Sequence, residues 1–292
     1  MRVGFVGLGT MGGAMAANVA RAKFEVAAWN RSPGRSAGLV ELGIKILASP
    51  ADVAAASEVI VTIVSDTPDV EAVLFGPNGV AEGAADGALV IDMSTISPSA
   101  TRDFATRLRA RGVGMLDAPV SGGSEGAKKG TLSIFVGGDA ADLERAQPVL
   151  AAMGTTITHV GPSGSGQAAK AVNQVILAGG YLGVAEGIVL AMKSGLDVDQ
   201  LVEAMSGGAA QSWVLANRSG RMHDNEYPLG FKVALHRKDI GIALGLAGET
   251  GTVLPVSALF EQILGGLVGR GHGDEDVSAV ARTIRELSGL EG

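Results

Sequence analysis

The chain begins with RVGFVGLGTMGGAMAANVA, a short apolar run that breaks into glycines and resumes as a small-residue helical segment. Gly7, Gly9 and Gly12 stand in G-x-G-x-x-G spacing. In a strand–turn–helix setting each glycine has its own task. The first makes the tight turn, the second lets backbone approach a pyrophosphate, and the third lets helix and strand pack closely. The helix start then offers open N–H groups and the positive end of its dipole to phosphates. Alone, the six-residue pattern is weak in a chain with 44 glycines. Flanked by a strand before and a helix and second strand after, it makes Gly7, Leu8, Gly9, Thr10, Met11 and Gly12 the expected cradle of a dinucleotide.

The alternation continues downstream. FEVAAWN, GIKIL, VIVTIV, ALVIDM and VGMLDAP read as short buried strands, separated by helices that include 50–56, 68–75 and 98–111. TLSIFVGG, a helix at about 139–153 and TITHV complete the series. This pattern predicts an α/β domain, a Rossmann-type, mainly parallel sheet with helices on both faces. Beyond about 163 the texture turns wholly helical. One helix is expected over 165–193, about 40 Å long at 1.5 Å per residue. Further helices are expected near 197–206, 211–222, 235–250, 255–269 and 276–288. The expected domains are therefore 1–162 and an all-α 163–292, joined by the long helix. About two domains also suits 292 residues. So apolar a helix is expected to pack against another subunit, in a homodimer or homotetramer.

The net charge of −7 and the lack of any basic block argue against a nucleic-acid partner. There are no cysteines, so thiol catalysis and thiolate metal sites are excluded. Four scattered histidines show no ligand spacing, and no metal site is expected. The N-terminal stretch loosely mimics a secretory leader, but its glycines have the better explanation given above. No uninterrupted apolar run reaches roughly 18 residues, so no membrane partner is expected and the cytoplasm is the expected location.

The second strand ends in WNRS. Sites for NAD usually carry Asp or Glu about 20 residues after the glycines, to hold the ribose 2′-hydroxyl. Here Asn30, Arg31 and Ser32 occupy that place. A carboxylate would repel a 2′-phosphate and Arg31 would attract it, with Asn30 and Ser32 as further donors. One charge-assisted hydrogen bond is worth roughly 1.5–3 kcal/mol, enough for a preference. The segment favours NADP(H) over NAD(H).

At the domain break, GPSGSGQAAKAVNQV leads into the apolar helix and sets Lys170 and Asn173 three residues apart on one face. Alone, Lys170 is as readily a snorkelling lysine as a reactive one. The helix start, however, favours anions and is a poor place for an idle cation.

Taken together, GFVGLGTMGGAMAANV, IDMSTISP (91–98), DAPVSGGSEGAKKGTL (117–132), GPSGSGQAAKAVNQ (161–174) and KDIGIAL (238–244) resemble the β-hydroxyacid dehydrogenases over essentially the whole chain. These include 3-hydroxyisobutyrate dehydrogenases, tartronate semialdehyde reductases and glyoxylate/succinic semialdehyde reductases. The resemblance implies a Rossmann domain, a long interdomain helix and an all-α C-terminal domain. It implies hydride exchange between NADP(H) and a small carboxylate-bearing aldehyde or alcohol. Lys170 then matches the catalytic lysine and Asn173 the amide beside it. Ser121, Gly122 and Gly123 match the substrate-carboxylate site, while Thr95 and Lys238 match positions near the nicotinamide. Val64 and Ser65, in IVSDTP, would line the cofactor, although this segment departs from a commoner Leu-Pro form. Trp213 is expected at the substrate pocket, with a core tryptophan an equal account, and Phe231 over the cofactor.

The glycine-rich PVSGG would bind the carboxylate through backbone N–H groups. Asp239 and Glu249 show no spacing logic for acid–base work. Three other readings share parts of the pattern. A 6-phosphogluconate dehydrogenase would need a larger C-terminal domain, and an imine reductase would usually replace the lysine. A non-catalytic NADP-binding scaffold would not need Lys170 and Asn173 together.

Overall fold

The structure is a computed structural model that describes residues 1–32, 34 and 37–290. It divides into two compact units, Met1–Lys170 and Ala171–Gly292.

The first unit runs β1 (Arg2–Val6), α1 (Thr10–Arg21), β2 (Glu25–Trp29), α2 (Ala37–Val40), β3 (Lys45–Ile46), α3 (Pro50–Ala55), β4 (Val59–Thr62), α4 (Thr67–Phe75) and α5 (Val80–Gly83). It continues β5 (Leu89–Asp92), α6 (Pro98–Arg109), β6 (Gly114–Asp117), β7 (Val120–Ser121), α7 (Gly123–Lys129), β8 (Leu132–Gly137), α8 (Ala140–Ala151) and β9 (Gly154–Gly161). The strand order is β3-β2-β1-β4-β5-β6-β8-β7, with β9 also pairing β8. Pairing is parallel from β3 through β6. It turns antiparallel where β8 meets β6 and β7. This is a Rossmann fold.

The central strands are buried on both faces, which is why VIVT and LVID read as continuous apolar runs. Alternate side chains feed two cores. Val3, Phe5, Val59, Val61, Leu89 and Ile91 face one layer of helices. Val6, Ile60 and Val90 face the other. Helix starts are fixed by short polar caps. Ser49 accepts the Asp52 N–H and Ser97 the Ala100 N–H, each followed by proline in the first turn.

α9 (Ser165–Lys193) ends the first unit and opens the second. There follow α10 (Val198–Met205), α11 (Trp213–Asp224), α12 (Val233–Thr250), α13 (Pro255–Gly269), a 3₁₀ turn at Val277–Ala279 and α14 (Val280–Leu287). Among the described residues of this unit, the extended pairing is a single bridge, Lys232 to Asp276. Its core gathers Ala178, Tyr181, Ala185 and Ile188 from α9 around Phe260 and Leu264 of α13.

α9 is long and apolar enough to cross a membrane by length and composition, although its sequence is interrupted by glycines and a glutamate. One side of it nevertheless serves as a core element of the second unit. The residues after PVSGG form the helix α7. That helix packs against α1, where Asn18 donates to the Ala127 carbonyl at 2.8 Å.

Candidate active site

The glycine loop lies just after β1, which pairs β2 on one side and β4 on the other. The chain winds outward from β1 through β2 to β3 and then crosses back to β4 on the other side of β1, which makes this the switch point at which doubly wound sheets bind ligands. Gly7 has φ +105°, and a side chain there would strike the Ile63 carbonyl. One at Gly12 would strike the Gly7 carbonyl. At Gly9 a Cβ would meet nothing within 4 Å. The turn and the packing thus use the outer glycines and leave the middle one facing open space. α1 starts with no side-chain cap and no acid in its first turn. These features fit a pyrophosphate.

Asn30 organises this loop. Its Oδ1 accepts the Leu8 N–H at 2.8 Å, and its Nδ2 donates to the Ser32 carbonyl at 2.8 Å. The amide expected to face the cofactor is thus engaged within the protein. Ser32 is exposed. Arg31, 78% exposed, pairs with Asp69 in the first turn of α4 at 3.0 Å. So exposed a pair is worth about 0–1 kcal/mol, less than a guanidinium–phosphate bond.

After β4 and β5, the turns carrying Val64, Ser65 and Thr95 are tied together. Ser94 Oγ accepts the Val64 N–H at 3.0 Å and donates to Asp92 Oδ1 at 2.7 Å. Thr62 donates to the same oxygen at 2.7 Å. Asp92 is fully buried, and its Oδ2 has no hydrogen-bond partner among the described residues. Burial pushes its carboxyl up to about 6, against the pull of the Ser94 and Thr62 hydrogen bonds.

The start of α9 is fastened to the same end of the sheet. Asp117 accepts the Gly164 N–H at 2.8 Å and the Gln167 N–H at 2.9 Å. Burial raises this carboxyl as well, and the backbone N–H groups of Gly164 and Gln167 oppose the rise. The Gln167 amide bonds the Ser94 carbonyl and the Ile96 N–H. Lys170, one turn on, is 7% exposed. Following β6, Gly122 and Gly123 have φ +128° and +62°; the first value is one that only glycine takes without strain, and the second is left-handed and favours glycine. They lead from the partly buried Ser121 into α7.

In the second unit Asn173 and Lys238 stand at the two ends of one chain of bonds. Asn173 Nδ2 donates to Gln174 Oε1 at 2.8 Å, and Gln174 Nε2 donates to Asp239 Oδ2 at 2.6 Å. Asp239 Oδ1 pairs with the Lys238 ammonium at 2.9 Å. Gln174 and Asp239 are buried.

Phe231 donates its N–H to the buried Asp276 at 3.0 Å, and its ring lies 5.3 Å from that of His236. Arg218 and Arg221 flank Asp276 at 3.1 and 3.3 Å. Trp213 is 54% exposed, with the Arg218 guanidinium 4.6 Å above its ring, so it is not a core tryptophan. Among the described residues, no cluster of three or more His, Asp or Glu is arranged to hold a metal ion.

Sequence reasoning missed Asp92, Asp117, Gln167 and Gln174, and set Asp239 aside. The available signal was a polar residue inside an apolar strand or helix.

Residues 2–161 match the family described as the NAD binding domain of 6-phosphogluconate dehydrogenase. Residues 164–284 match the family described as the NAD-binding region of NADP-dependent 3-hydroxyisobutyrate dehydrogenase. The chain is 40% identical to 2-hydroxy-3-oxopropionate reductase of Escherichia coli (strain K12), over 99% of this chain and 98% of that one. It is 36% identical to 2-(hydroxymethyl)glutarate dehydrogenase of Eubacterium barkeri, over 99% and 97% respectively. Among solved structures it is similar to Mycobacterium tuberculosis 3-hydroxyisobutyrate dehydrogenase with L-serine. That match has TM-score 0.89 and 33% identity, covering 98% of this chain and 100% of that one.

Proposed function

Because the chain belongs to the β-hydroxyacid dehydrogenase family and is an oxidoreductase with an NAD(P)-binding Rossmann fold, we propose that it is an NADP(H)-dependent reductase of small carboxylate-bearing semialdehydes, working reversibly on the matching hydroxyacids. The observation that carries this reading is the buried Lys170, three residues before Asn173 on a helix whose start is bonded to the cofactor end of the sheet.

NADPH, when bound, supplies the hydride. Gly7 to Gly12 and the open start of α1 hold its pyrophosphate. Val64, Ser65 and Thr95 would line its course, and Lys238 and Phe231 would be the second unit's contributions to its nicotinamide end. Arg31 would turn from Asp69 to the 2′-phosphate, helped by Ser32, while Asn30 holds the loop in shape. The substrate carboxylate meets Ser121 and the N–H groups of Gly122 and Gly123, and Trp213 borders the substrate. As the carbonyl carbon receives hydride, negative charge grows on its oxygen. Lys170 gives that oxygen a proton, and Asn173 donates an amide N–H to it. In the oxidative direction neutral Lys170 takes the proton back.

We further propose a homodimer or homotetramer. Val172, Ile176 and Leu190 are exposed along α9, on a stripe that includes Gly179, Gly183 and Gly187. A Cβ at any of these glycines would meet nothing within 4 Å. Each costs a helix interior about 1 kcal/mol relative to alanine, and a close-packed second copy supplies the reason for it. We assign the enzyme to the cytoplasm, with neither nucleic acid nor membrane as partner.

The test is a panel of glyoxylate, succinic semialdehyde, tartronate semialdehyde and methylmalonate semialdehyde, run with NADPH and with NADH. One or more should oxidise NADPH, with kcat/KM about 10- to 100-fold above that for NADH. Turnover of none refutes the reaction; equal use of both cofactors refutes the assignment of Arg31.

A further inference from the structure

Gln167 is a buried polar side chain that the proposed chemistry does not use, 1% exposed and one turn ahead of Lys170 on α9. Its amide grips the backbone on both sides of Thr95. Nε2 donates to the Ser94 carbonyl at 2.8 Å, and Oε1 accepts the Ile96 N–H at 3.1 Å. Its own N–H is held by Asp117 at 2.9 Å, beside the Gly164 N–H on the same carboxylate. The helix start therefore cannot slide or turn against the 94–96 segment without breaking these bonds. From the far side, Asp92 and the Val64 N–H fix the Ser94 hydroxyl. Thr95 sits in a turn pinned at one end by the sheet and at both neighbouring peptides by the helix that carries Lys170.

We infer that Gln167 is a positioning residue that sets the placement of Thr95 relative to Lys170, and through them the alignment of the cofactor's reacting end with the proton donor. This rests on the reading above, in which Thr95 lies near the nicotinamide and Lys170 delivers the proton. Gln167→Met keeps the length of the side chain but leaves a buried carbonyl and a buried N–H unpaired. The turn then gains freedom where the reaction is most sensitive, since a misplacement of about 1 Å costs about 10²-fold. Cofactor affinity changes little, because the glycine loop that holds the pyrophosphate is untouched.

The experiment is a double-mutant cycle between Gln167→Met and Thr95→Ala. Single-turnover hydride transfer from NADPH is read with the best semialdehyde of the panel, alongside Lys170→Ala. Gln167→Met should slow transfer about 10- to 100-fold, while the NADPH Kd stays near the wild-type value. If Gln167 acts through Thr95, the double variant should lie within about twofold of the slower single variant. A wild-type rate in Gln167→Met, or two losses that multiply, overturns the inference. In that case slow Thr95→Ala and Lys170→Ala leave the hydride site standing. Wild-type rates in both of those variants sink the hydride site, and this inference with it.

Should Gln167→Met not fold, Gln167→Glu serves. A protonated glutamic acid reproduces both bonds, whereas the ionised form loses the donor to Ser94. Its single-turnover rate should therefore gain an acid-favoured limb that the wild type lacks. A pH profile parallel to the wild type overturns the inference.

Discussion

Asp92→Asn isolates what a buried charge costs this fold. Asp92 is fully buried between Thr62 and Ser94, and burial raises its carboxyl from the ordinary 3.8 to about 6. The folded state therefore binds this proton more tightly than the unfolded chain does. The stability it contributes is fully present below 3.8 and is lost as pH rises through about 6. A rise of about two units corresponds to about 3 kcal/mol. Asparagine is neutral throughout and keeps an acceptor for the Thr62 and Ser94 hydroxyls. Its Nδ2 takes the place of Oδ2, which has no partner among the described residues, at a cost of about 1–3 kcal/mol. Below pH 4 the two proteins should be close in stability, because the protonated carboxyl also buries a donor without a partner on Oδ2. From pH 4 to 7.5 the difference should swing toward the variant by about 3 kcal/mol. The chain has two tryptophans, and Trp29 on β2 reports the first unit. Urea titrations followed by Trp29 fluorescence, with Trp213→Phe in both proteins, give the two stabilities at each pH. Burial raises the Asp117 carboxyl too, but Asp117 is common to both proteins, so it enters only through its coupling to Asp92. Parallel curves for variant and wild type across pH 4–7.5 would refute the argument.

Other outcomes follow from the same geometry. Asp69→Asn frees Arg31 of its ion pair and removes a charge that repels a 2′-phosphate; the NADPH KM should fall by up to about fivefold, with the NADH KM nearly unchanged. Steady-state kinetics with both cofactors checks this, and equal shifts would contradict it. Asp239→Ala removes the acceptor of the Gln174 amide and one partner of the Lys238 ammonium and should lower stability by about 3 kcal/mol, read by urea titration of the Trp213 signal. An unmoved midpoint would count against a buried network. Ile176→Asp, a charge on the exposed stripe of α9, should shift the particle to a smaller size in light scattering if that stripe is the subunit contact. An unchanged mass would exclude this face.

The parts of the fold that show in the sequence are those with local causes. The strands announce themselves by continuous apolar runs, because a parallel sheet is buried on both faces. The glycine loop shows because its turn at Gly7 and the clash of Gly12 with the Gly7 carbonyl are local, although the carbonyl that excludes a side chain at Gly7 belongs to the distant Ile63. α7 was hidden because GSEGAKK has little apolar pattern; its position depends on the left-handed entry at Gly122 and on packing against α1. The supporting shell was hidden for a different reason. Gln167 meets Ser94 across 73 residues, and Gln174 meets Asp239 across 65. One sequence shows a polar residue on an apolar element but not the partner that the fold brings to it. Asn30 illustrates the same limit. Its place at the end of β2 was legible, but its bond to the Leu8 N–H was not.

The central claim is that Lys170 protonates the carbonyl oxygen during hydride transfer. Stopped-flow single turnovers of the NADPH-loaded enzyme, wild type and Lys170→Ala, test it directly by the loss of absorbance at about 340 nm on mixing with the best semialdehyde. A general acid contributes about 10²–10⁴-fold, so the variant should be slower by at least about 100-fold while binding NADPH as tightly as the wild type. A Lys170→Ala enzyme that transfers hydride at the wild-type rate would contradict the account.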